Sequence, residues 1–148
     1  MYTVNVQWKG KMRFDGQDAD GRVVTMDASP VYGGNNEGVR PMELMLISLA
    51  GCTAIEVCNA MNKMRIPFDG FQVAVEAERR EEIPQVFTVV RVHYVVAAPT
   101  LTLERFLKVF ELGAIKYCSV ANMVKQACEV RYSFTLNGVE HVYQPAGN

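Results

Sequence analysis

The segment from Pro41 to Met64, PMELMLISLAGCTAIEVCNAMNKM, constrains the fold of this chain more than any other stretch. Proline is favoured at the first helical position, and the next proline after it is Pro67. The segment therefore predicts a single helix of about 36 Å at 1.5 Å per residue, which is longer than a small domain is wide.

The faces of this predicted helix are unusual, because nearly all of them are apolar. With about 100° per residue, the polar side chains Ser48, Glu56, Asn59 and Lys63 fall within roughly 40° of Cys52. A helix that is apolar on most sides must be enclosed on most sides, and its charged residues argue against a membrane span. We therefore expect a core helix that carries Cys52 on its only polar line.

Composition and charge limit the class of protein. A length of 148 residues favours a single domain over residues 1–148, and 49% hydrophobic with 21% charged residues is typical of a packed globular chain. The net charge of -1 gives no electrostatic case for binding nucleic acid or an anionic membrane. The sequence shows no secretory leader, so we expect a cytoplasmic protein whose thiols stay reduced.

Alternating apolar residues predict strands on both sides of the long helix. Strands are expected at 2–9, 12–14, 23–26, 71–77, 86–96, 130–136 and 139–143, with Asp15–Gly16 and Asn137–Gly138 as hairpin turns. Shorter helices are expected at 103–110, with Thr102 as the N-cap, and at 119–127. Residues 27–40 read as a long loop, and the tail 145–148 is expected to fray.

This order of elements predicts an α+β fold with antiparallel sheets wrapped around the long central helix. A chain of this length does not easily supply enough surface to cover most of that helix. We therefore predict a homodimer in which each subunit helps to enclose the long helix of the other.

Four cysteines carry the possible chemistry, and none forms a C-x-x-C motif, so neither a zinc ribbon nor a thioredoxin motif is expected. Cys118 begins a predicted short helix, whose free N–H groups and dipole favour a thiolate. Cys52 lies in the middle of a helix and needs a cation or a donor from another segment. Cys58 and Cys128 are interpreted as packing residues, a role that also stays open for Cys52 and Cys118.

Two segments taken together, RPMELMLISLAGCTAIEV and KYCSVANMV, resemble the OsmC/Ohr family of thiol peroxidases over nearly the whole chain. The resemblance implies an intertwined homodimer with active sites at the subunit interface. It implies that Cys52 is the peroxidatic cysteine, which becomes a sulfenic acid, and that Cys118 then forms a disulfide with it. It also implies organic hydroperoxides as substrates, a dithiol such as a dihydrolipoyl group as reductant, and no metal or organic cofactor.

The sequence departs from the family motif at one position. In the family a glutamate follows the helix-opening proline and orients an arginine that holds the thiolate, whereas this chain has Met42 there. Glu43 lies nine residues before the cysteine, about two and a half turns away, and so points to the opposite side of the helix. Arg13 is the nearest match for the arginine, with Arg22 and Arg40 as open alternatives.

The sequence therefore predicts a cysteine-based peroxidase for organic hydroperoxides, with slower turnover than members that have the glutamate. One alternative is a non-enzymatic protein that binds a hydrophobic ligand or senses oxidants. Another is sulfur or acyl transfer with Cys52 as the nucleophile and His93 as a base.

Overall fold

The computed structural model describes residues 1–145, so the expectation of a frayed tail falls mostly outside the described residues. The chain forms two compact units, Met1–Met45 and Leu46–Asn148. The long helix α1 spans Pro41–Lys63, as predicted. Judged by length and composition alone, α1 could cross a membrane, a test that the core helix of a soluble protein also passes.

The first unit contains a three-stranded antiparallel sheet in the order β1-β2-β3. Its strands are β1 (Val4–Gly10), β2 (Arg13–Asp18) and β3 (Val23–Met26). The prediction of a hairpin turn at Asp15–Gly16 is wrong, because β2 runs through both residues and Gly16 is buried. The first turn instead uses Gly10 and Lys11, whose φ angles of 110° and 47° supply the left-handed backbone that a tight turn needs.

Strand β1 has the predicted alternation but not the predicted half-burial. Val4, Val6 and Trp8 are 70%, 58% and 63% exposed in the single chain. The apolar side of this strand is therefore largely exposed.

The second unit contains a four-stranded sheet in the order β4-β5-β6-β7. Its strands are β4 (Gly70–Arg79), β5 (Phe87–Ala97), β6 (Glu129–Leu136) and β7 (Val139–Val142). The outer pairs are antiparallel, as predicted, but β5 and β6 are parallel, so this sheet is mixed. A parallel pair needs a long crossover, and helical segments between β5 and β6 provide it. The predicted Asn137–Gly138 turn joins β6 to β7.

The crossover contains α2 (Leu103–Phe110), a π-helical segment (Glu111–Tyr117) and α3 (Ser119–Val124). The Thr102 side chain accepts a hydrogen bond from the Arg105 N–H at 3.4 Å, which confirms the predicted N-cap. Aromatic side chains fill the core between these segments and the sheet: the ring centres of Tyr94 and Phe110 lie 5.2 Å apart. The architecture is α+β, as predicted.

Candidate active site

Cys52 lies at the boundary between a covered and an uncovered face of α1. Leu49, Thr53, Val57 and Met61 follow one another at intervals of four residues and are at most 1% exposed. Cys52 itself is half-buried and projects beside this face. Its position gives the thiol both a packed side and an accessible side.

The opposite side of α1 is open in the single chain. Ile47 and Ile55 are 53% and 68% exposed, and a Cβ added at Gly51 would meet no atom of the described residues within 4 Å, apart from its own chain neighbours and the backbone of its own helix. These three positions follow the same four-residue spacing, so they form a second apolar stripe. We call Ile47, Gly51 and Ile55 the open stripe of α1.

Gly113 brings the π-helical segment against α1. A Cβ added at Gly113 would lie 2.7 Å from both Cα and N of Val57, so only glycine fits at this contact. The Cys118 N–H donates to the Gly113 carbonyl at 3.1 Å, which fixes the end of the segment. The contact therefore carries Cys118 toward the part of α1 that holds Cys52.

Cys118 is the N-cap of α3, as the sequence predicts, and its side chain is fully buried. Its Sγ accepts a hydrogen bond from the Ala121 N–H at 3.4 Å. Its carbonyl accepts a second bond from the Asn122 side-chain amide at 2.9 Å. These bonds hold the sulfur in place at the start of the helix.

Cys52 and Cys118 are 66 positions apart in the sequence, yet in the folded chain the Cys52 side chain lies close enough to Cys118 to contribute to the raised pKa of that thiol. Both are free. Burial, reinforced by the interaction with Cys52, raises the pKa of Cys118 to about 11, although the Ala121 N–H acts in the opposite direction. The N–H groups at the start of the helix act in the predicted direction, toward a Cys118 thiolate, but the cost of burying the charge outweighs them and the net pKa is raised.

Further side chains near Cys118 were not found by sequence reasoning. The hydroxyls of Thr53 and Tyr94 share a buried hydrogen bond of 2.6 Å. Burial raises the pKa of both Tyr94 and Tyr132, and the nearby Cys118 raises them further. Lys125 Nζ lies 5.3 Å from the centre of the Tyr132 ring. Both tyrosines occupy inward-facing positions of predicted strands, where a buried hydroxyl needs a hydrogen-bond partner. That pattern in the sequence could have identified them.

A cavity of about 490 Å³ opens beside Tyr132 and Lys125. Most of its wall is apolar, and the lining side chains are Ile115, Lys125, Glu129, Val130, Arg131, Tyr132, Val142, Tyr143 and Pro145. Within it, Arg131 forms two hydrogen bonds with Glu129, at 2.8 and 2.9 Å. These two charges therefore offset each other.

Arg13, the cation predicted for Cys52, lies in β2 of the first unit. Its Nη1 is 3.2 Å from a Glu37 carboxylate oxygen, and its Nε is 3.6 Å from Asp15. Three backbone N–H groups, led by those of Glu37 and Asn35, donate to the Asp27 carboxylate and lower its pKa. Asp27 thus anchors the loop that presents Glu37 to Arg13.

The two alternative arginines are engaged locally. Arg22 pairs with Asp18 and Asp20 at 2.9 and 2.7 Å, and Arg40 donates to the Asp27 carbonyl at 2.8 Å. The Glu43 carboxylate accepts the Arg40 backbone N–H at 3.4 Å, so it caps the start of α1.

The remaining candidate residues have structural partners. The two ring nitrogens of His93 contact Ser133 Oγ at 2.7 Å and Thr135 Oγ1 at 3.0 Å, which leaves neither nitrogen free for a base. Burial raises the pKa of Cys58, and the Cys128 thiol contacts the Val124 carbonyl at 3.6 Å. Residues 1–145 contain no group of three or more histidine, cysteine or acidic side chains arranged to hold a metal ion.

Comparison with known proteins places this site within a family. The model of the OsmC-like protein family matches residues 34–133, a range that includes both Cys52 and Cys118. Protein YhfA of Escherichia coli strain K12 is 33% identical over 129 residues, which cover 87% of this chain and 93% of that protein.

Solved structures share the fold. One from structural genomics is 30% identical with a TM-score of 0.81, covering 90% of this chain and 97% of that one. An organic hydroperoxide resistance protein OsmC of Legionella pneumophila is 15% identical with a TM-score of 0.69, covering 90% of this chain and 96% of that one. The chain belongs to the OsmC-like protein family.

Proposed function

We propose that this protein is a thiol-dependent peroxidase that reduces organic hydroperoxides. The observation that carries the proposal is the placement of Cys118 beside α1 through the Gly113 contact, where Cys52, a thiol distant in sequence, helps to raise its pKa. One is half-buried and accessible, and the other is fully buried behind it. An accessible attacking thiol beside a protected resolving thiol is the arrangement that two-cysteine peroxide chemistry needs.

The cycle begins with the Cys52 thiolate. Its sulfur attacks one oxygen of the hydroperoxide, the O–O bond breaks, and the other oxygen leaves as an alcohol after taking a proton. Cys52 is then a sulfenic acid. The Cys118 sulfur attacks it, an S–S bond forms, and the hydroxyl leaves as water with the proton that Cys118 gives up. A dithiol, for which we propose the lipoyl type, reduces the disulfide and is itself oxidised.

We propose that Arg13 supplies the positive charge that favours the Cys52 thiolate. Glu37 and Asp15 pair with Arg13. We propose that Glu37 orients Arg13, the role that the family's glutamate has at the position where this chain has Met42. Replacement by lysine keeps the charge but loses the planar, two-pronged hydrogen bonding of the guanidinium. Arg13→Lys is therefore expected to slow the reaction of Cys52 with peroxide, and Arg22→Lys is the matched control.

We propose that the protein acts as a cytoplasmic homodimer and that residues 1–148 form one OsmC-like domain. The open stripe of α1 supports the dimer, because exposed apolar side chains at helical spacing favour an interface. The exposed apolar side of β1 supports it in the same way.

The rate of Cys52 oxidation tests the proposed activity. We expect stopped-flow mixing with cumene hydroperoxide to oxidise Cys52 far faster than free cysteine, and Cys52→Ser to abolish the reaction. Cys58→Ser is the control, because this thiol is assigned to packing. Oxidation of Cys52 no faster than free cysteine would rule the peroxidase out.

A second candidate is the binding of a hydrophobic ligand without catalysis. The cavity of about 490 Å³, with its apolar wall, is the observation that favours it. Native mass spectrometry of protein purified from its host separates the two functions. A bound acyl compound with both cysteines reduced indicates ligand binding, whereas a Cys52–Cys118 disulfide after mild peroxide indicates redox chemistry.

A further inference from the structure

Two side chains that the proposed cycle does not use lie near the Cys118 sulfur. Tyr132 is 6% exposed, and its buried hydroxyl has no hydrogen-bond partner among residues 1–145. The Lys125 ammonium lies 5.3 Å from the centre of the Tyr132 ring. Because native proteins rarely leave a buried hydroxyl unpaired, this one suggests a partner that forms only during function.

Helix α3 links Lys125 to Cys118. Cys118 is the N-cap of α3 and Lys125 is its C-cap, seven residues later. The six residues of α3 between them rise by only about 9 Å, at 1.5 Å per residue, which keeps the two caps near each other. Burial lowers the pKa of Lys125, and the negative charge of a Cys118 thiolate acts against that shift, which is evidence of their proximity.

Four titratable groups lie close enough to Cys118 for their charges and its own to act on one another. They are Cys52 from α1, Tyr94 from β5, Tyr132 from β6 and Lys125 from the end of α3. Lys125 is the cation of this set. Tyr94 already shares its hydroxyl with Thr53, whereas the hydroxyl of Tyr132 is unpaired within the described residues.

We propose that Lys125 and Tyr132 stabilise the Cys118 sulfur when it carries negative charge, an inference that rests on the proposed function. That charge develops in two steps. During resolution the Cys118 thiol gives up its proton, its sulfur bonds to the Cys52 sulfur, and the S–O bond breaks to release water. During reduction a thiolate of the dithiol attacks the Cys52 sulfur, the S–S bond breaks, and Cys118 leaves as a thiolate that then takes up a proton.

The cavity beside Lys125 completes this arrangement. Cys118 is 0% exposed, so it cannot exchange its proton with water directly. Lys125 and Tyr132 both line the cavity of about 490 Å³, which gives the lysine contact with solvent. Lys125 therefore both balances the charge of the buried sulfur and exchanges protons with water.

The test uses 4,4′-dithiodipyridine without peroxide, in a Cys58→Ser, Cys128→Ser background. Attack by Cys52 releases one thiopyridone, and attack by Cys118 on the mixed disulfide releases a second. We expect Lys125→Met and Lys125→Gln to leave the first phase unchanged and to slow the second about tenfold, with its pH midpoint about one unit higher. Tyr132→Phe should slow the second phase less, and Lys125→Arg should restore it.

Lys116 and Tyr117 provide the matched control. Lys116 Nζ lies 5.4 Å from the centre of the Tyr117 ring, in an exposed pair of the same kind. Lys116→Met and Tyr117→Phe should therefore leave both phases unchanged. Thermal melting, followed by circular dichroism, checks that each variant is folded.

The inference is overturned if the Lys125 and Tyr132 variants keep the wild-type rate and pH profile of the second phase. It is also overturned if Lys116→Met slows that phase equally, or if wild-type protein never releases the second thiopyridone. A protein that shows the expected phases but does not react with cumene hydroperoxide refutes the peroxidase proposal instead. The two failures therefore have separate signatures.

Discussion

The two apolar faces of α1 have similar side chains and opposite surroundings. Leu49, Val57 and Met61 are at most 1% exposed, whereas Ile47 and Ile55 are more than half exposed. The first face is covered by the chain's own core, and the second is left largely exposed by residues 1–145. Hydrophobic periodicity therefore identifies a face that needs covering but does not identify what covers it. Cys52 lies where the two faces meet, half-buried.

The largest expected effect comes from truncating a buried side chain on the covered face of α1. Leu49→Ala should lower the free energy of unfolding by about 4 kcal/mol, because it removes a buried side chain and leaves a cavity. Urea denaturation measures the loss. Ile47→Ala on the open stripe is the control and should cost less than about 1 kcal/mol when both variants are made in an Ile55→Glu background, which is expected to keep the chain monomeric. Equal losses in that background would show that the two faces do not differ.

Gly113, which contacts α1, and Gly51, which lies on the open stripe, form a matched pair for comparing a packed and an exposed glycine. Gly113→Ala should destabilise the protein by about 3 kcal/mol, because its Cβ would overlap the Val57 backbone. Gly51→Ala, on the open stripe, should instead stabilise the single chain by about 0.5–1 kcal/mol through lower backbone entropy in the unfolded state. Thermal melting distinguishes the two.

Disulfide formation gives the Gly113 variant a second readout. Displacing the π-helical segment moves Cys118 away from Cys52, so peroxide-induced disulfide formation should slow in Gly113→Ala and not in Gly51→Ala. A Gly113→Ala protein with wild-type stability and disulfide rate would contradict the close contact.

A smaller effect on the free energy of unfolding is expected from the titration of the buried Cys118 thiol. The pKa of Cys118 is raised to about 11 from an ordinary value of 9.0. Between these values the unfolded chain releases the proton while the folded chain keeps it, so stability falls as pH rises. The loss attributable to Cys118 should approach about 2 kcal/mol by pH 11.

The Cys118→Ser variant isolates this contribution. Serine does not titrate in this range and also serves as an N-cap. The difference in unfolding free energy between wild type and Cys118→Ser should therefore be constant below pH 9 and change only above it. A difference that is flat from pH 7 to 11 would contradict the shifted pKa.

The smallest expected effect on the single chain comes from charging the open stripe. Ile55→Glu should change the free energy of unfolding of an isolated chain by less than about 0.5 kcal/mol, because the side chain is exposed. It should nevertheless dissociate the proposed dimer in sedimentation velocity, since a buried charge opposes association. Asn59→Glu, on the polar line, should leave the dimer intact. A monomeric wild-type protein would contradict the proposal that the open stripe forms a dimer interface.

Local signals in the sequence were enough to predict many elements. The opening proline and apolar run predicted α1, Thr102 predicted the start of α2, and Asn137–Gly138 predicted the last turn. The Asp15–Gly16 dipeptide wrongly predicted a turn. The turn between β1 and β2 lies instead at Gly10 and Lys11, whose backbones are left-handed. The parallel pairing of β5 and β6 was missed, since it depends on how the crossover packs.

The site was predicted only in part, for a physical reason. A spacing of 66 residues carries no information about the distance between Cys52 and Cys118, and the family resemblance was the only pointer to their pairing. Tyr132 and Lys125 acquire their significance from burial and from their placement around Cys118. Burial also outweighed the expected effect of the helix N-terminus on the Cys118 pKa, and no local pattern reports burial of that kind.

The most direct measurement is peptide mapping by mass spectrometry after one equivalent of cumene hydroperoxide is added to fully reduced protein. We predict a single disulfide between Cys52 and Cys118, with Cys58 and Cys128 still free, and full recovery of the thiols by a dithiol. A Cys52 that is oxidised beyond the sulfenic acid without pairing, or a disulfide that includes Cys58 or Cys128 instead, would contradict the proposed pairing of the two thiols.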